Sequence, residues 1–384
     1  MGSLLRVIHI SARADIGGGP AIMERLMVCT RGEVESFVAC PREEPYWSRF
    51  THLVGHQNVL EIPRRKFSLA RLQRLASFVA DKHIGLIHSH GLGAGLYSRP
   101  AGWTAGVPVV HSFHGVDFRW SRPLGSAGRL LAEQLLGFGT KQLVAVSESE
   151  RAYVCRWLFP HARKIRVIPN GFRLPLPDSA SAADVRCGST VLWVGRMESQ
   201  KRPGEIVPIA LHLCQLRPQR DFAFDVVGGG PLLPHLRDAV HDAGLDGVVR
   251  LLGPQFDVLP FYRNATAFLS TSRWEGFALT TLEAMASNLA IVASRAPGNV
   301  DVVTHGETGL LYPKDDPREA ARLLNAVLDG SFPVARMRQT ASARVACLFT
   351  PELLASRHLD LYREVVAGAK CGRAHRGSES LPVK

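Results

Sequence analysis

From Leu5 to Tyr312 the chain alternates short β-branched or apolar runs with stretches of helical periodicity, and few folds accept that alternation. The runs are Leu5 to Ile10, Val34 to Cys40, Leu86 to His90, Val107 to Ser112, Gln142 to Val146 and Ile165 to Ile168. They resume with Thr190 to Val194, Phe222 to Val227, Val248 to Leu252, Ala267 to Ser270, Ala290 to Ala293 and Thr308 to Tyr312. Strands separated by helices build parallel sheets, because a parallel neighbour needs a long crossover. Between the two sets lies R-L-P-L-P-D-S-A-S-A-A-D-V-R-C-G-S-T, Arg173 to Thr190, where periodicity stops and Pro, Ser, Ala and Asp take over, as in a linker. The expectation is an α/β protein of two doubly wound parallel-sheet domains, residues 1–174 and 188–349. At 384 residues the chain is roughly two to three times the common single-domain size, which fits. From Lys370 onward no period is visible, so 370–384 reads as a disordered tail.

Composition excludes several classes. Hydrophobic residues are 46% and charged residues 21%, an ordinary globular balance. No apolar run reaches the roughly 18 to 20 residues of a membrane-spanning helix. The 7 cysteines are scattered without a C-x-x-C, which argues against a disulfide framework or a zinc knuckle and fits a reducing cytosol. Charge is uneven. Residues 1–174 hold 23 Lys and Arg against 12 Asp and Glu, a surplus of 11, whereas residues 175–384 hold 23 against 22, a surplus of 1. A basic half implies an anionic partner: nucleic acid, an acidic membrane surface or a phosphorylated substrate.

Arg64 to Lys82 in that half reads as a helix, with Leu72, Leu75, Ala76 and Val79 as its core stripe. Phe67, Arg71, Arg74 and Phe78 form a second stripe, preceded by Arg64, Arg65 and Lys66. It reads either as a solvated face or as a surface for anionic lipid headgroups.

Four loop motifs carry possible chemistry, since ligands in open parallel sheets sit beyond the carboxyl ends of the strands. I-G-G-G-P, Ile16 to Pro20, and V-V-G-G-G-P, Val226 to Pro231, allow close backbone approach to a phosphate or make tight strand-to-helix turns; neither is G-x-G-x-x-G. V-G-R-M-E-S-Q-K-R-P, Val194 to Pro203, puts Arg196 and Lys201 after a strand, where they could hold a diphosphate or stand free in solvent. R-W-E-G-F-A-L-T-T-L-E places Glu275 before a helix and Glu283 in its first turn; paired carboxylates suit vicinal hydroxyls, and Thr280 with Glu283 also fits a capping box. His88, His90, His111 and His114 end two successive strands, and some of them should converge on a cleft. With no carboxylate or cysteine beside them they make a poor metal site, and no D-x-D occurs to cradle a metal-bound diphosphate.

The order of these motifs, with H-G-V-D at His114 to Asp117, A-V-S-E-S at Ala145 to Ser149, P-N-G at Pro169 to Gly171, R-L-L-G-P, E-G-F-A-L-T-T-L-E-A-M-A and H-G-E-T-G-L-L-Y-P, resembles the family 4 glycosyltransferases. The resemblance spans most of residues 5–365. It implies the GT-B fold, two Rossmann-like domains facing across a cleft, and a retaining, nucleotide-sugar-dependent reaction. By the same resemblance Arg196 and Lys201 bind the donor diphosphate. Glu275 holds sugar hydroxyls, beside Gly276 and Phe277, and Glu283 holds the ribose diol. Gly253 and Pro254 contact the base, and Gly298 to Val300, Asn299 included, lie near the sugar and diphosphate. His114 contacts the sugar, and Gly18 and Gly19 approach the donor phosphates and the acceptor. The helix Pro351 to Ala367 crosses back to the N-terminal domain. Two departures stand out: Asn288 replaces a common Gly, and P-G-N-V-D puts Asp301 where the family has Glu.

A hexosyltransferase that needs no metal or other cofactor is therefore expected. Its N-terminal domain would take an anionic or lipid-linked glycan acceptor in lipopolysaccharide or exopolysaccharide biosynthesis, and the enzyme would work peripherally on the cytoplasmic face of a bacterial membrane without nucleic acid. A nucleotide-sugar epimerase of the same fold, an inactive sugar-nucleotide binder and a basic nucleic-acid-binding protein are the rivals. The last leaves Arg196, Lys201, Glu275 and Glu283 without a task.

Overall fold

The computed structural model describes residues 4–64, 67–116, 123–172 and 189–377. Two compact units emerge, residues 1–171 together with the segment from Pro351, and residues 172–350. The segment 173–188, Asp117, Arg65 and Lys66 lie outside the described residues.

Among its described residues unit 1 holds seven strands: β1 (Leu5–Ser11), β2 (Val34–Cys40), β3 (Val59–Glu61), β4 (Leu86–His90), β5 (Val109–Ser112), β6 (Gln142–Ala145) and β7 (Ile165–Val167). They form one parallel sheet in the order β3-β2-β1-β4-β5-β6-β7. Unit 2 repeats the plan with β8 (Thr190–Val194), β9 (Ala223–Val227), β10 (Val249–Gly253), β11 (Ala267–Ser270), β12 (Ala290–Ser294) and β13 (Leu310–Tyr312), ordered β10-β9-β8-β11-β12-β13. The winding reverses between β1 and β4 in unit 1 and between β8 and β11 in unit 2. At each reversal the neighbouring loops leave in opposite directions and open a crevice at the strands' carboxyl ends. Strand β3 has no counterpart in the sequence reading; it is three residues long with only Leu60 buried, too short to show a period.

Side-chain alternation sets the layers. On one face of the unit 1 sheet Ile8, Ile10, Phe37 and Ile87 pack against Leu75, Val79, Tyr97 and Ala101. Residues one step out of phase, His9 on β1 and His88 on β4, point to the other face in register with each other. There they meet the C-terminal helix Pro351–Gly377, whose Tyr362 oxygen lies 2.6 Å from His88 Nδ1. That helix continues past Lys370, where a disordered tail was expected, because A-K-C-G-R-A-H-R is mostly good helix former and propensity extends a helix even without an apolar stripe.

One buried ion pair joins two helices of unit 1. Arg99 is fully buried; its Nη1 donates to Glu133 Oε1 at 3.2 Å, Nη2 lies 2.8 Å from Oε2, and Nε donates to Thr140 Oγ1 at 3.0 Å. Burial pushes the Glu133 carboxyl up, against the pull of Arg99.

Of the expected basic and aromatic stripe, the described residues show Phe67 exposed and Phe78 half-buried against the core. The helix runs only Leu69–Asp81, capped by Ser68, which accepts from Arg71 N. Phe78 turns inward onto Phe37, ring centroids 6.3 Å apart, because the position borders the core stripe. Phe67 is outside but lies against Tyr97 at 5.5 Å, and Arg64 is held by Glu43 at 2.7 Å and Asp15 at 3.2 Å. Arg71 and Arg74 are on the helix without an aromatic pair between them.

Candidate active site

In unit 2 the loop after β8 and the loop after β11 meet. Lys201 Nζ lies 2.6 Å from Glu275 Oε1, with side chains only 15% and 9% exposed. Ser272 Oγ donates to the same Oε1 at 2.6 Å, and Gln200 Nε2 reaches Oε2 at 3.4 Å. The backbone carries the same link: Arg273 N donates to Gln200 O at 2.8 Å, Thr271 Oγ1 to Lys201 O at 2.6 Å, and Trp193 Nε1 to Thr271 Oγ1 at 2.9 Å. Residues 75 apart in sequence are thus fixed as one polar unit. Arg196 leaves the same loop but pairs with Glu198 at 2.9 Å and stays 39% exposed, so its guanidinium can turn to a ligand at little cost.

Glycines hold this arrangement for steric reasons. Gly298 has φ +84°, and a Cβ there would fall 2.4 Å from Glu275 Cβ; Glu275 N donates to Pro297 O at 2.8 Å. Asp301 accepts from Gly298 N at 3.0 Å, so the residue that departs from the family pattern caps the turn. Gly228, φ +140°, passes the loop bearing Arg196 so closely that a Cβ would sit 1.8 Å from Gly195 O. Met197 N donates to Gly229 O at 2.8 Å. The V-V-G-G-G-P run therefore braces the cationic loop. Gly253, φ +69°, gives its carbonyl to Gly228 N at 2.9 Å, and Pro254 beside it is exposed.

Three residues of the family pattern have side chains engaged within the protein. Asn299 is fully buried and its amide is used up: Nδ2 donates to Ser294 O at 3.0 Å and to Ser270 and Ser294 hydroxyls at 3.2 Å, while Oδ1 accepts from Thr281. Its side chain ties β11 and β12 to the next helix and is not offered to a ligand. Phe277 is 6% exposed and packs edge-on against Phe349 at 5.3 Å; Gly276 beside it is buried too. The helix begins at Leu279, so Glu283 is in its second turn and no side chain caps the start; Tyr262 Oη donates to Glu283 Oε2 at 3.0 Å. Burial, then Glu283, pushes the Tyr262 phenol well up, so it stays a donor. Asn288 adopts φ +58°, the left-handed turn for which Asn is suited.

In unit 1 the helix Gly18–Cys29 starts just beyond β1, with Gly17 before it, and a Cβ at Gly17 or Gly19 would meet nothing within 4 Å. Neither packing nor a left-handed φ explains glycine at Gly17; both positions leave room for something else to approach. His114, beyond β5, has φ +61°. Its loop is stapled by Glu150, which the sequence reading passed over. Oε1 accepts from Gly115 N at 2.5 Å and Val116 N at 3.3 Å, and Oε2 from Val146 N at 2.8 Å. The S-E-S-E run could have shown it, since an acidic residue at the third place of a capped helix looks back to its own N-terminus.

The histidines separate. His90 Nδ1 lies 3.0 Å from His114 Nε2, and His9 Nδ1 3.3 Å from His90 Nε2. His111 faces the other side of the sheet, bonded to Ser89 at 2.8 Å. Burial drives His88, His90 and His111 well below the usual histidine range, and His9 to about 3 and His114 to about 4. His9, His88 and His90 each offer a nitrogen within 4.8 Å of the others. Both nitrogens of His88 are engaged, by Tyr362 at 2.6 Å and Ser112 at 2.8 Å, so the group stands as a hydrogen-bonded cluster.

Two parallel-sheet units, each with a crevice at its winding reversal and one holding a cation and a carboxylate in contact, are the architecture of the GT-B fold. Residues 17–171 match the family model "Glycosyl transferase 4-like domain" and residues 188–330 match "Glycosyl transferases group 1". The D-inositol 3-phosphate glycosyltransferase of Kineococcus radiotolerans is 31% identical over 75% of this chain and 73% of its own. An Escherichia coli enzyme, UDP-Gal:alpha-D-GlcNAc-diphosphoundecaprenol alpha-1,3-galactosyltransferase, is 28% identical over 60% of this chain and 63% of its own. Among solved structures, Anabaena HepE with UDP and glucose superposes with a TM-score of 0.79 at 18% identity, covering 94% of this chain and all (100%) of HepE. The chain belongs to the family 4 glycosyltransferases and is a hexosyltransferase that takes its sugar from a nucleotide.

Proposed function

We propose that this enzyme transfers a hexosyl unit, with retention, to an anionic or lipid-linked glycan acceptor in cell-surface polysaccharide or lipopolysaccharide synthesis, working on the inner face of the membrane. The observation that carries the donor half is the Lys201–Glu275 pair, 2.6 Å apart at the carboxyl ends of adjacent strands. Glycosyl transfer builds positive charge on the sugar ring and negative charge on the departing phosphate. Lys201 and Arg196 stabilise the phosphate without a divalent ion. Glu275, held by Lys201 and Ser272, accepts from sugar hydroxyls, and Glu283 from the ribose. Gly253 and Pro254 border the base, while Gly18 and Gly19, at the start of the helix Gly18–Cys29, approach the acceptor or the donor phosphates. His114 offers a hydrogen bond to a substrate oxygen.

The acceptor half rests on charge and on the relatives. Residues 1–174 carry 23 basic against 12 acidic side chains. Both named relatives have a phosphate in the compound they are named for, an inositol phosphate in one and a diphosphoundecaprenol in the other. No helix among the described residues is long and apolar enough to cross a membrane, and surface attachment is what the reading requires.

A thermal-shift screen of UDP, GDP and ADP sugars tests the donor. A sugar nucleotide at 100 times its Kd stabilises the folded protein by about 2.7 kcal/mol. Failure of all three nucleotides to shift the melt removes the reading. Transfer from the active donor to a lipid-diphosphate acceptor, with the new anomeric configuration read by proton NMR, tests the rest.

A further inference from the structure

Three imidazoles of unit 1 form a chain from the interior to the end of β5: His9 Nδ1 to His90 Nε2 at 3.3 Å, then His90 Nδ1 to His114 Nε2 at 3.0 Å. A hydrogen bond between two ring nitrogens needs one protonated and one bare. A neutral imidazole carries a single N–H, so choosing one tautomer fixes all three. Burial is the main reason that each of the three prefers to be neutral.

Two arrangements satisfy the chain, and its inner end decides between them. With protons directed outward, His9 Nδ1–H donates to His90 Nε2, His90 Nδ1–H donates to His114 Nε2, and His114 keeps its proton on Nδ1. With protons directed inward, the proton of His9 sits on Nε2. That atom is buried and has no hydrogen-bond partner among the described residues. The inward arrangement strands an N–H donor, whereas the outward one strands only a lone pair, and buried orphan donors are rarer than buried orphan acceptors.

We infer that His90 is a positioning residue that holds His114 as a neutral Nδ1–H donor, with His9 setting the direction of the chain. His114 sits in the left-handed region at φ +61°, and the Glu150 bond to Gly115 N holds the loop from its other side. Held in this way, His114 gives a hydrogen bond to a substrate oxygen but cannot take a proton at Nε2 without losing His90. It is a fixed donor and not a base. The inference rests on the reading of His114 as a substrate contact and deepens it.

Long-range nitrogen–proton correlation spectra of the histidine-labelled full chain read the tautomers, with the His114 signals assigned by their loss in His114→Gln. The expected result is a proton on Nδ1 of His114 in the native chain and in His90→Asn, whose amide nitrogen replaces the donor at Nδ1. In His90→Gln, whose amide replaces the opposite nitrogen, and in His90→Leu, the Nδ1 preference disappears. A filler role for His90 would leave His114 unchanged in all three. A proton on Nε2 in the native chain, or an unchanged tautomer in His90→Gln and in any folded His90→Leu, overturns the inference. So does one equivalent of transition metal in the untagged protein that His9→Asn removes, because a metal on His9 Nδ1 and His90 Nε2 excludes the proton between them. Turnover of UDP-glucose, GDP-glucose and ADP-glucose on the same samples is a separate readout: the expected tautomers with no turnover would count against the transferase reading and leave the chain of imidazoles standing.

Discussion

The two crevices share one topology and use opposite chemistry. In unit 1 the reversal between β1 and β4 is lined by neutral, buried imidazoles and an open glycine turn. In unit 2 the reversal between β8 and β11 holds a cation and a carboxylate in contact. Net charge runs the other way: the sequence surplus is 11 in residues 1–174 and 1 in residues 175–384. On the proposed function, overall charge draws the anionic acceptor to residues 1–174, and the local Lys201–Glu275 pair handles the donor. A long-range field needs only unpaired surface charge, whereas a reacting group needs fixed charge in a dry place.

The largest expected effect comes from the Arg99–Glu133 ion pair buried in unit 1. Arg99→Leu leaves Glu133 buried without its partner and should cost about 3–5 kcal/mol, read by chemical denaturation. Burial already holds the Glu133 carboxyl up, and removing Arg99 raises it further. A carboxyl raised above its unfolded value loses stability as pH rises, so the deficit should grow from pH 5 to pH 8. A deficit independent of pH would mean that Glu133 stays charged there.

Acid sharpens the same contrast. His9 is held down to about 3 and His114 to about 4, below an unfolded value near 6.5. Neutral histidine in the fold contributes stability that is complete above about pH 6.5 and is lost as pH falls toward 4. His9 alone accounts for on the order of 3 kcal/mol at pH 4, at 1.36 kcal/mol for each pH unit. Hydrogen exchange should show β4 amides losing protection ahead of β11 amides as pH drops from 7 to 4. Equal loss in both sheets would erase the distinction between the units.

The smallest of the three effects belongs to unit 2. Gly228→Ala forces a Cβ against Gly195 O at a left-handed φ and should cost about 2 kcal/mol, with the Arg196 loop displaced. Weaker nucleotide binding should accompany it while β4 protection stays unchanged.

Much of this was legible in the chain, and the gaps have physical causes. Long strands announced themselves by burial on both faces, and β3 did not because three residues carry no period. Lys201 and Glu275 were each visible as loop residues beyond a strand, yet their contact depends on two loops meeting, which sequence spacing does not encode. Asn299 lay in the right turn, but the hydroxyls of Ser270, Thr281 and Ser294 turn its amide inward. His9 was hidden inside an apolar strand, R-V-I-H-I, where it looked like one more core position. Phe78 sat at the border of two stripes, and the core captured it because burying an aromatic ring outweighs leaving it in water.

Calorimetric titration in EDTA of the nucleoside diphosphate that the thermal-shift screen selects, into the native chain and Lys201→Ala side by side, tests the metal-free grip of Lys201 on the donor phosphates most directly. The native chain should bind with divalent ions chelated, and Lys201→Ala should bind about 10- to 100-fold more weakly, the range of one charge-assisted hydrogen bond. Equal affinity in the two proteins, or binding by the native chain that vanishes in EDTA, would contradict it.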